Sequence, residues 1–174
     1  MNSWHDLETG KNAPDVINAV IEISKGSRLK YELHKESGMM MLDRVAHTTN
    51  VYPGDYGFVP QTYWEDGDPL DILVIGDTPV LPNTLVSVRV VGVMNMIDGG
   101  ESDDKVIGVY DDDPRYDDIM DIKDISSHRL DEIKHYFETY KDLQDTHVEV
   151  TGFQNASKAK KAVEKGISLY NKKF

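Results

Sequence analysis

The chain has 174 residues, of which 31 are acidic and 19 are basic, so its net charge is -12. The length suits one domain with a hydrophobic core, here residues 1–174, and the net negative charge argues against nucleic acid or an anionic membrane surface as the main partner. Cysteine is absent, which excludes disulfides, thiolate metal sites and cysteine nucleophiles and leaves oxygen or histidine as metal ligands.

The N-terminal segment to about Asp15 is polar and contains Gly10 and Pro14, which predicts an arm or loop. It lacks the basic and then apolar pattern of a signal peptide. No later segment reaches the roughly 20 apolar residues that cross a membrane. These patterns predict a cytoplasmic protein without a membrane partner.

Strand patterns follow this segment. Residues 16–23 are rich in β-formers and almost wholly apolar, with Glu22 as the only charge among them. Residues 28–34 alternate between polar and apolar side chains, which predicts a half-buried strand. A turn at 36–38 leads to another predicted strand over 39–45.

Residues 51–60 contain two prolines, two glycines and three aromatic residues, which predicts a shaped loop and no regular element. Strand patterns return at 70–75, 85–96 and 106–110, separated by turns. Short strands at this spacing predict an antiparallel barrel or sandwich.

The last third of the chain is mainly helical in pattern. Apolar residues recur at helical spacing within 127–143, and Ser126 or Ser127 can cap the start of that helix. A short predicted strand at 148–150 precedes a second helix that begins at Asn155. Strands first and helices last are typical of the α+β class.

Three carboxylates occupy a turn that leads directly into an apolar strand, namely Asp66, Asp68 and Asp71. Gly67 and Pro69 favour the turn. Asp71 lies where a core strand begins, and a carboxylate is costly there unless a cation or hydrogen bonds compensate it. The alternative is an ordinary polar hairpin turn, which has no need of Asp71. The pattern therefore favours a site for hard cations.

A second acidic loop follows the long strand and includes Asp98 and Asp103. Such loops are commonly solvated turns, but antiparallel strands could bring both acidic loops to one rim, where they would repel each other without metal. The first loop is not an EF-hand, because Leu70 and Asp71 occupy that motif's fifth and sixth positions. The chain contains no Walker loop, dinucleotide fingerprint, zinc-protease helix or serine elbow, and its histidines show no tight ligand spacing.

Cationic and phenolic side chains recur along the chain at Lys30, Arg44, Tyr52, Tyr56, Lys105, Tyr140 and Lys141. Each of them alone has a structural explanation, such as a salt bridge or a core tyrosine. Together they supply the donors that a phosphate ligand needs.

Taken together, the acidic loops and these cationic and phenolic residues resemble those of the family I soluble inorganic pyrophosphatases. The matching segments occur in the same order and cover nearly the whole chain. The most specific match is the signature Asp66-Gly67-Asp68-Pro69-Leu70-Asp71. Other matching segments lie at 20–23, 30–32, 36–38, 43–44, 52–57, 98–105 and 135–143. Ser24, where the family often has proline, and the individual segment 111–124 depart from the pattern without touching a predicted ligand.

The resemblance implies hydrolysis of pyrophosphate to two phosphates by in-line attack of a metal-activated water, with Mg²⁺ as cofactor and Mn²⁺ or another divalent ion as a substitute. Metal ligands would be Asp66, Asp71, Asp98, Asp103 and Glu32. Asp68 is our candidate general base, since it stands between two ligands. Substrate would be bound by Lys30, Arg44, Tyr56, Lys105, Tyr140 and Lys141. Glu22 and Tyr52 would be supporting residues.

The charges of these side chains also favour obligate divalent ions. Their carboxylates outnumber their cations, so an empty site would repel pyrophosphate, and two divalent ions would reverse the sign. Mg²⁺ suits such a set because it prefers a few carboxylates together with waters and phosphate oxygens.

The fold we expect is α+β, a small closed antiparallel β-barrel (OB-like) with two main α-helices packed on it towards the C-terminus. The short length resembles the prokaryotic members, which favours a homohexamer. Two other functions stay open. A non-catalytic barrel for ions or phosphorylated ligands would leave Asp68 unexplained. A hydrolase of nucleotides or organic diphosphates would need a base pocket, for which Trp64 is the only candidate.

Overall fold

The computed structural model describes all residues from Met1 to Phe174. Its strands are β1 Val16–Ile23, β2 Leu29–Leu33, β3 Met40–Val45, β4 Asp55–Phe58, β5 Asp71–Ile75, β6 Thr84–Asp98, β7 Glu101–Ser102, β8 Lys105–Tyr110 and β9 Val148–Asn155. The α-helices are α1 Ser127–Thr139 and α2 Ala156–Lys173, and short 3₁₀ turns cover Pro114–Tyr116, Ile122–Asp124 and Asp142–Gln144. Neither α-helix combines the length and hydropathy that a membrane crossing requires.

The strand pairings close into a ring. β1 pairs with β4, β4 with β5, β5 with β8, β8 with β6, and β6 returns to β1. The long β6 also pairs with β7 and β9 beyond the ring, while β2 and β3 form a separate two-stranded sheet. The body is therefore sheet-rich, and both helices come late in the chain as expected.

The expectation of a wholly antiparallel sheet is wrong at one pairing. β5 and β8 run parallel, with Asp71 opposite Lys105 at the start of the register. The reason is the connection between them, because β6 and β7 intervene and return the chain to the end from which β5 began.

The predicted loop at 51–60 also contains a strand, β4. Its position depends on Gly57, because a Cβ there would lie 1.9 Å from the carbonyl oxygen of Val20 in β1. The glycine that suggested a loop is needed for close pairing of two backbones.

Two element boundaries also differ from the predicted ones. The helix α1 ends at Thr139, before the predicted end at 143, and β9 continues past 150 to Asn155.

The helix starts agree with the predicted caps. The Ser126 hydroxyl accepts a hydrogen bond from the Arg129 N–H at 3.3 Å, and the Asn155 side chain accepts one from the Lys158 N–H at 3.0 Å. These bonds satisfy backbone donors that the first turn of a helix leaves free.

The core lies on both faces of β5. Ile72 and Val74 pack in a cluster that includes Val163 of α2, whereas Leu73 and Ile75 pack in a cluster that includes Phe137 of α1. Alternate side chains of a strand point to opposite faces. The continuous apolar run of this strand is therefore explained by burial on both sides.

Candidate active site

A pocket of about 170 Å³ collects residues from both acidic loops. The residues selected from the sequence that line it are Glu22, Lys30, Glu32, Tyr52, Tyr56, Asp66, Asp68, Asp71, Asp98, Asp103, Tyr140 and Lys141. The topology explains this convergence. Because β5 and β8 are parallel neighbours, the loops that precede them meet at the same end of the ring.

Asp71 has the compensating partners that its position required. Its Oδ2 accepts a hydrogen bond from the Tyr56 hydroxyl at 2.5 Å and another from the Lys105 ammonium at 2.7 Å. The same ammonium donates to Asp103 at 2.5 Å. Burial alone would lower the pKa of Lys105, but the nearby carboxylates of Asp71 and Asp103 raise it above its ordinary value. Lys105 is therefore a buried cation paired with two carboxylates.

Several carboxyl groups of the pocket resist ionisation. Burial raises the pKa of Glu22 to about 8, against the opposing hydrogen bond from the Leu33 N–H. Burial and the negative charge of Asp71 and Asp103 raise the pKa of Asp66 to about 6, although the Asp68 N–H opposes the shift. Burial also raises the pKa of Asp103. Burial is the largest cause of each shift, and neighbouring carboxylates add to it.

The oxygen donors of this pocket fit a hard divalent ion in their chemistry. Their spacing is not that of a preformed cage, because no group of three or more histidine, aspartate or glutamate side chains lies close enough to hold one ion. Lysine and tyrosine donors hold the aspartates instead. At the far wall the Lys141 ammonium contacts Asp98, and the Tyr140 hydroxyl donates to the same carboxylate at 3.2 Å.

The predicted cations do not all face the pocket. Lys30 lines it and contacts Glu32. Arg44 is not among the lining residues, and its Nη1 donates to Asp43 at 2.8 Å. Lys105 lies behind the lining, against two of its aspartates. The substrate-binding roles of Arg44 and Lys105 stay predictions.

The pocket is also lined by residues that the sequence did not point to, among them Trp4 and Lys35. The Lys35 ammonium contacts the Asp68 carboxylate and lies 5.8 Å from the centre of the Trp4 ring. No local pattern predicts these contacts, because they join the N-terminal arm, the turn after β2 and the loop before β5.

The comparison with known proteins decides the family. A family model described as inorganic pyrophosphatase matches residues 19–171. The chain belongs to the inorganic pyrophosphatase family. This membership confirms the predicted resemblance and the predicted enzyme class, an inorganic diphosphatase. It also removes the non-catalytic alternative.

Relatives within the inorganic pyrophosphatase family match nearly the whole chain. A soluble inorganic pyrophosphatase of Zea mays is 49% identical over 167 residues, which are 96% of this chain and 78% of the relative. The crystal structure of the inorganic pyrophosphatase from Thermus thermophilus is 45% identical, with a TM-score of 0.95 and coverage of 98% of this chain and 99% of that one. The structure of the Helicobacter pylori enzyme is 48% identical, with a TM-score of 0.91 and coverage of 95% and 99%.

The nucleotide alternative loses the residue that supported it. Trp64 is buried in the core cluster with Leu70 and Val163, and it is not among the residues that line the pocket. It therefore offers no surface on which a base could stack.

Proposed function

We propose that the chain hydrolyses inorganic pyrophosphate to two phosphates with divalent metal ions, preferentially Mg²⁺. A water oxygen forms a bond to one phosphorus in line with the bridging oxygen, the bridging P–O bond breaks, and the second phosphate leaves. The observation that supports this most is the meeting of both acidic loops with Lys30, Tyr140 and Lys141 in one pocket. Carboxylates for metal and donors for phosphate then lie side by side.

The metal ligands in this proposal are the carboxylates of Asp66, Asp71, Asp98, Asp103 and Glu32. When bound, divalent ions supply charge neutralisation of pyrophosphate and acidification of a water. The excess of carboxylates over cations among the pocket-lining residues supports the need for added positive charge. Lys105 contributes by keeping Asp71 and Asp103 close together.

Asp68 is the general base in this proposal, and it accepts the proton of the attacking water. Its carboxylate is half-exposed and lines the pocket. A general base must lie within hydrogen-bonding reach of the water from which it takes the proton, and a carboxylate exposed to the pocket meets that requirement. In the structure the Tyr56 hydroxyl donates its one proton to Asp71, so in this proposal it would exchange that bond for one to a phosphate oxygen or to the network of the attacking water.

The substrate-binding donors are Lys30, Arg44, Tyr56, Lys105, Tyr140 and Lys141. They neutralise charge as the bridging oxygen departs. Glu22 and Tyr52 are supporting residues. Glu22 accepts a hydrogen bond from the Leu33 N–H at 2.7 Å, and Tyr52 packs with its ring centre 5.3 Å from that of Tyr56.

The test is phosphate release from pyrophosphate, compared with ATP and with Mg²⁺ against Mn²⁺. We expect release from pyrophosphate that requires the metal and stops with a chelator. Asp68→Asn should keep metal binding, measured by calorimetry, and lose most turnover, while the exposed Asp112→Asn serves as control. Activity that chelation leaves unchanged would refute the metal dependence. Near-normal turnover of Asp68→Asn would remove Asp68 from the base role.

Three further features belong to the same proposal. The ring of strands is inferred to be a small OB-like barrel. A homo-oligomer, with a hexamer favoured by the resemblance, is supported by exposed apolar side chains on the separate sheet, at Met41, Leu42 and Val45, and by Met39 just before its second strand. The compartment is inferred to be the cytoplasm. Sedimentation would test the assembly, since a monomer at micromolar concentration would contradict it.

A further inference from the structure

Lys35 occupies a turn that the N-terminal arm holds in place. The backbone carbonyl of Lys35 accepts a hydrogen bond from the Asn2 side-chain amide at 2.8 Å. Trp4 follows in the same arm, is almost fully buried, and donates from its indole N–H to the Thr62 carbonyl at 2.8 Å. The Gln61 N–H donates to the Trp4 carbonyl at 2.9 Å. The arm is therefore bonded both to the turn that carries Lys35 and to residues 61–62.

The Lys35 ammonium reaches from this turn to Asp68. It contacts Oδ1 of Asp68, and it lies 5.8 Å from the centre of the Trp4 ring. A cation at this distance over an indole is attracted by the negative face of the ring. The ammonium thus has two partners, a carboxylate and an aromatic face.

Lys35 is the one side-chain or backbone donor that the Asp68 carboxylate has within the protein. The backbone of Asp68 is fixed separately, because its N–H donates to Asp66 at 3.0 Å and its carbonyl accepts from the Trp64 N–H at 2.7 Å. The backbone contacts place the residue, and only Lys35 restrains the direction of the carboxylate. The other pocket aspartates have comparable donors, as Lys105 does for Asp71 and Lys141 does for Asp98.

We propose that Lys35 is a positioning residue that aims the Asp68 carboxylate into the pocket, with the Trp4 ring steadying its ammonium. The proposal rests on the proposed function, in which Asp68 is the general base. A base displaced by about 1 Å from its proton loses much of its effect, so removal of the lysine lowers turnover while substrate affinity is largely kept.

The experiment measures kcat and KM for pyrophosphate in Lys35→Gln, Lys35→Arg and the control Lys11→Gln, which removes the same charge from an exposed site. We expect kcat to fall about tenfold in Lys35→Gln with KM changed less than about twofold. Lys35→Arg should restore most of kcat, because arginine donates to a carboxylate and stacks on an indole. Thermal melting shows that each variant is folded.

A double-mutant cycle with Asp68→Asn identifies the group through which Lys35 acts. We expect Lys35→Gln to reduce the residual turnover of Asp68→Asn less than about twofold, since the carboxylate is already lost. An equal reduction in both backgrounds, or an effect on KM alone, would mean that Lys35 contacts the substrate and would overturn the positioning role. Unchanged kcat in Lys35→Gln would overturn it as well. If the unaltered protein released no phosphate from pyrophosphate, the proposed function would be refuted, and the role of Lys35 with it.

Discussion

The ammonium of Lys105 lies 2.7 Å from Asp71 and 2.5 Å from Asp103, although Lys105 is only 1% exposed. One buried cation thereby joins a carboxylate of the first acidic loop to a carboxylate of the second. Like charges that converge in this way repel each other unless a cation lies between them. The Lys105 side chain is thus part of what allows the two loops to share one pocket.

Lys105→Met should strongly destabilise the metal-free protein. The substitution keeps an apolar stem but leaves two partly buried carboxylates without their buried cation, which costs about 3 kcal/mol or more. Urea denaturation monitored by circular dichroism measures the change. Lys172→Met, at an exposed position near the end of α2, is the control and should change stability by less than about 0.5 kcal/mol. Equal losses in the two variants would contradict the role of Lys105.

Tyr56→Phe should lower turnover more than it lowers stability. The hydroxyl donates to Asp71 at 2.5 Å. Because Asp71 is a metal ligand in the proposed mechanism, its misplacement acts on the transition state, and we expect kcat to fall roughly tenfold or more. Steady-state kinetics of phosphate release measure it. Tyr63→Phe is a matched control, because Tyr63 is not among the pocket-lining residues. A similar kcat in both variants would show that the Tyr56 hydroxyl is dispensable.

Glu22 should make the metal-free protein less stable as the pH rises. Burial, partly offset by the Leu33 N–H, raises the pKa of Glu22 from 4.5 to about 8 in the folded state. The folded protein therefore binds this proton more tightly than the unfolded chain. The contribution of protonated Glu22 to the free energy of unfolding is complete below about pH 4.5, and it is lost as the pH rises through about 8.

Glu22→Gln tests this dependence, because the amide resembles the protonated acid and can still accept the bond from Leu33. We expect the variant to melt at a higher temperature than the unaltered protein at pH 8.5, with little difference at pH 5, in buffer with chelator. Glu164→Gln, exposed on α2, should show no such contrast. A difference that is equal at both pH values would refute the assignment.

Asp55 should be a stabilising residue outside the pocket. It is 0% exposed and accepts hydrogen bonds from the Lys25 N–H at 2.8 Å, the Val80 N–H at 3.1 Å and the Tyr110 hydroxyl at 2.6 Å. Asp55→Ala leaves three partly buried donors unsatisfied, so we expect a loss of about 3 kcal/mol in unfolding free energy. Tyr110→Phe removes one donor and should cost about 1 kcal/mol.

The control for Asp55 is Asp112→Ala, which alters an exposed aspartate of the acidic segment. It should leave the unfolding free energy within about 0.5 kcal/mol. If Asp55→Ala matched this control, the hydrogen bonds of Asp55 would contribute nothing measurable.

Much of the strand and helix order was predictable, because local periodicity reports which faces are buried. Residues 16–23 predicted β1 with its observed bounds, and Asn155 predicted the start of α2. The strand β4 was missed for a physical reason. Gly57 is a loop signal by composition, and only the approach of β1 to within contact of its Cα shows why glycine occupies that strand.

The acidic signature determined by itself that Asp66, Asp68 and Asp71 would share one turn at the start of a buried strand, because turn formers and strand formers are local properties of the chain. The tertiary structure decided what each carboxylate contacts. Lys105 reaches Asp71 through the parallel pairing of β5 and β8, and Lys35 reaches Asp68 through packing of the N-terminal arm. Contacts between residues more than 30 positions apart depend on strand order and chain direction, and neither is encoded in the spacing of residues along one segment.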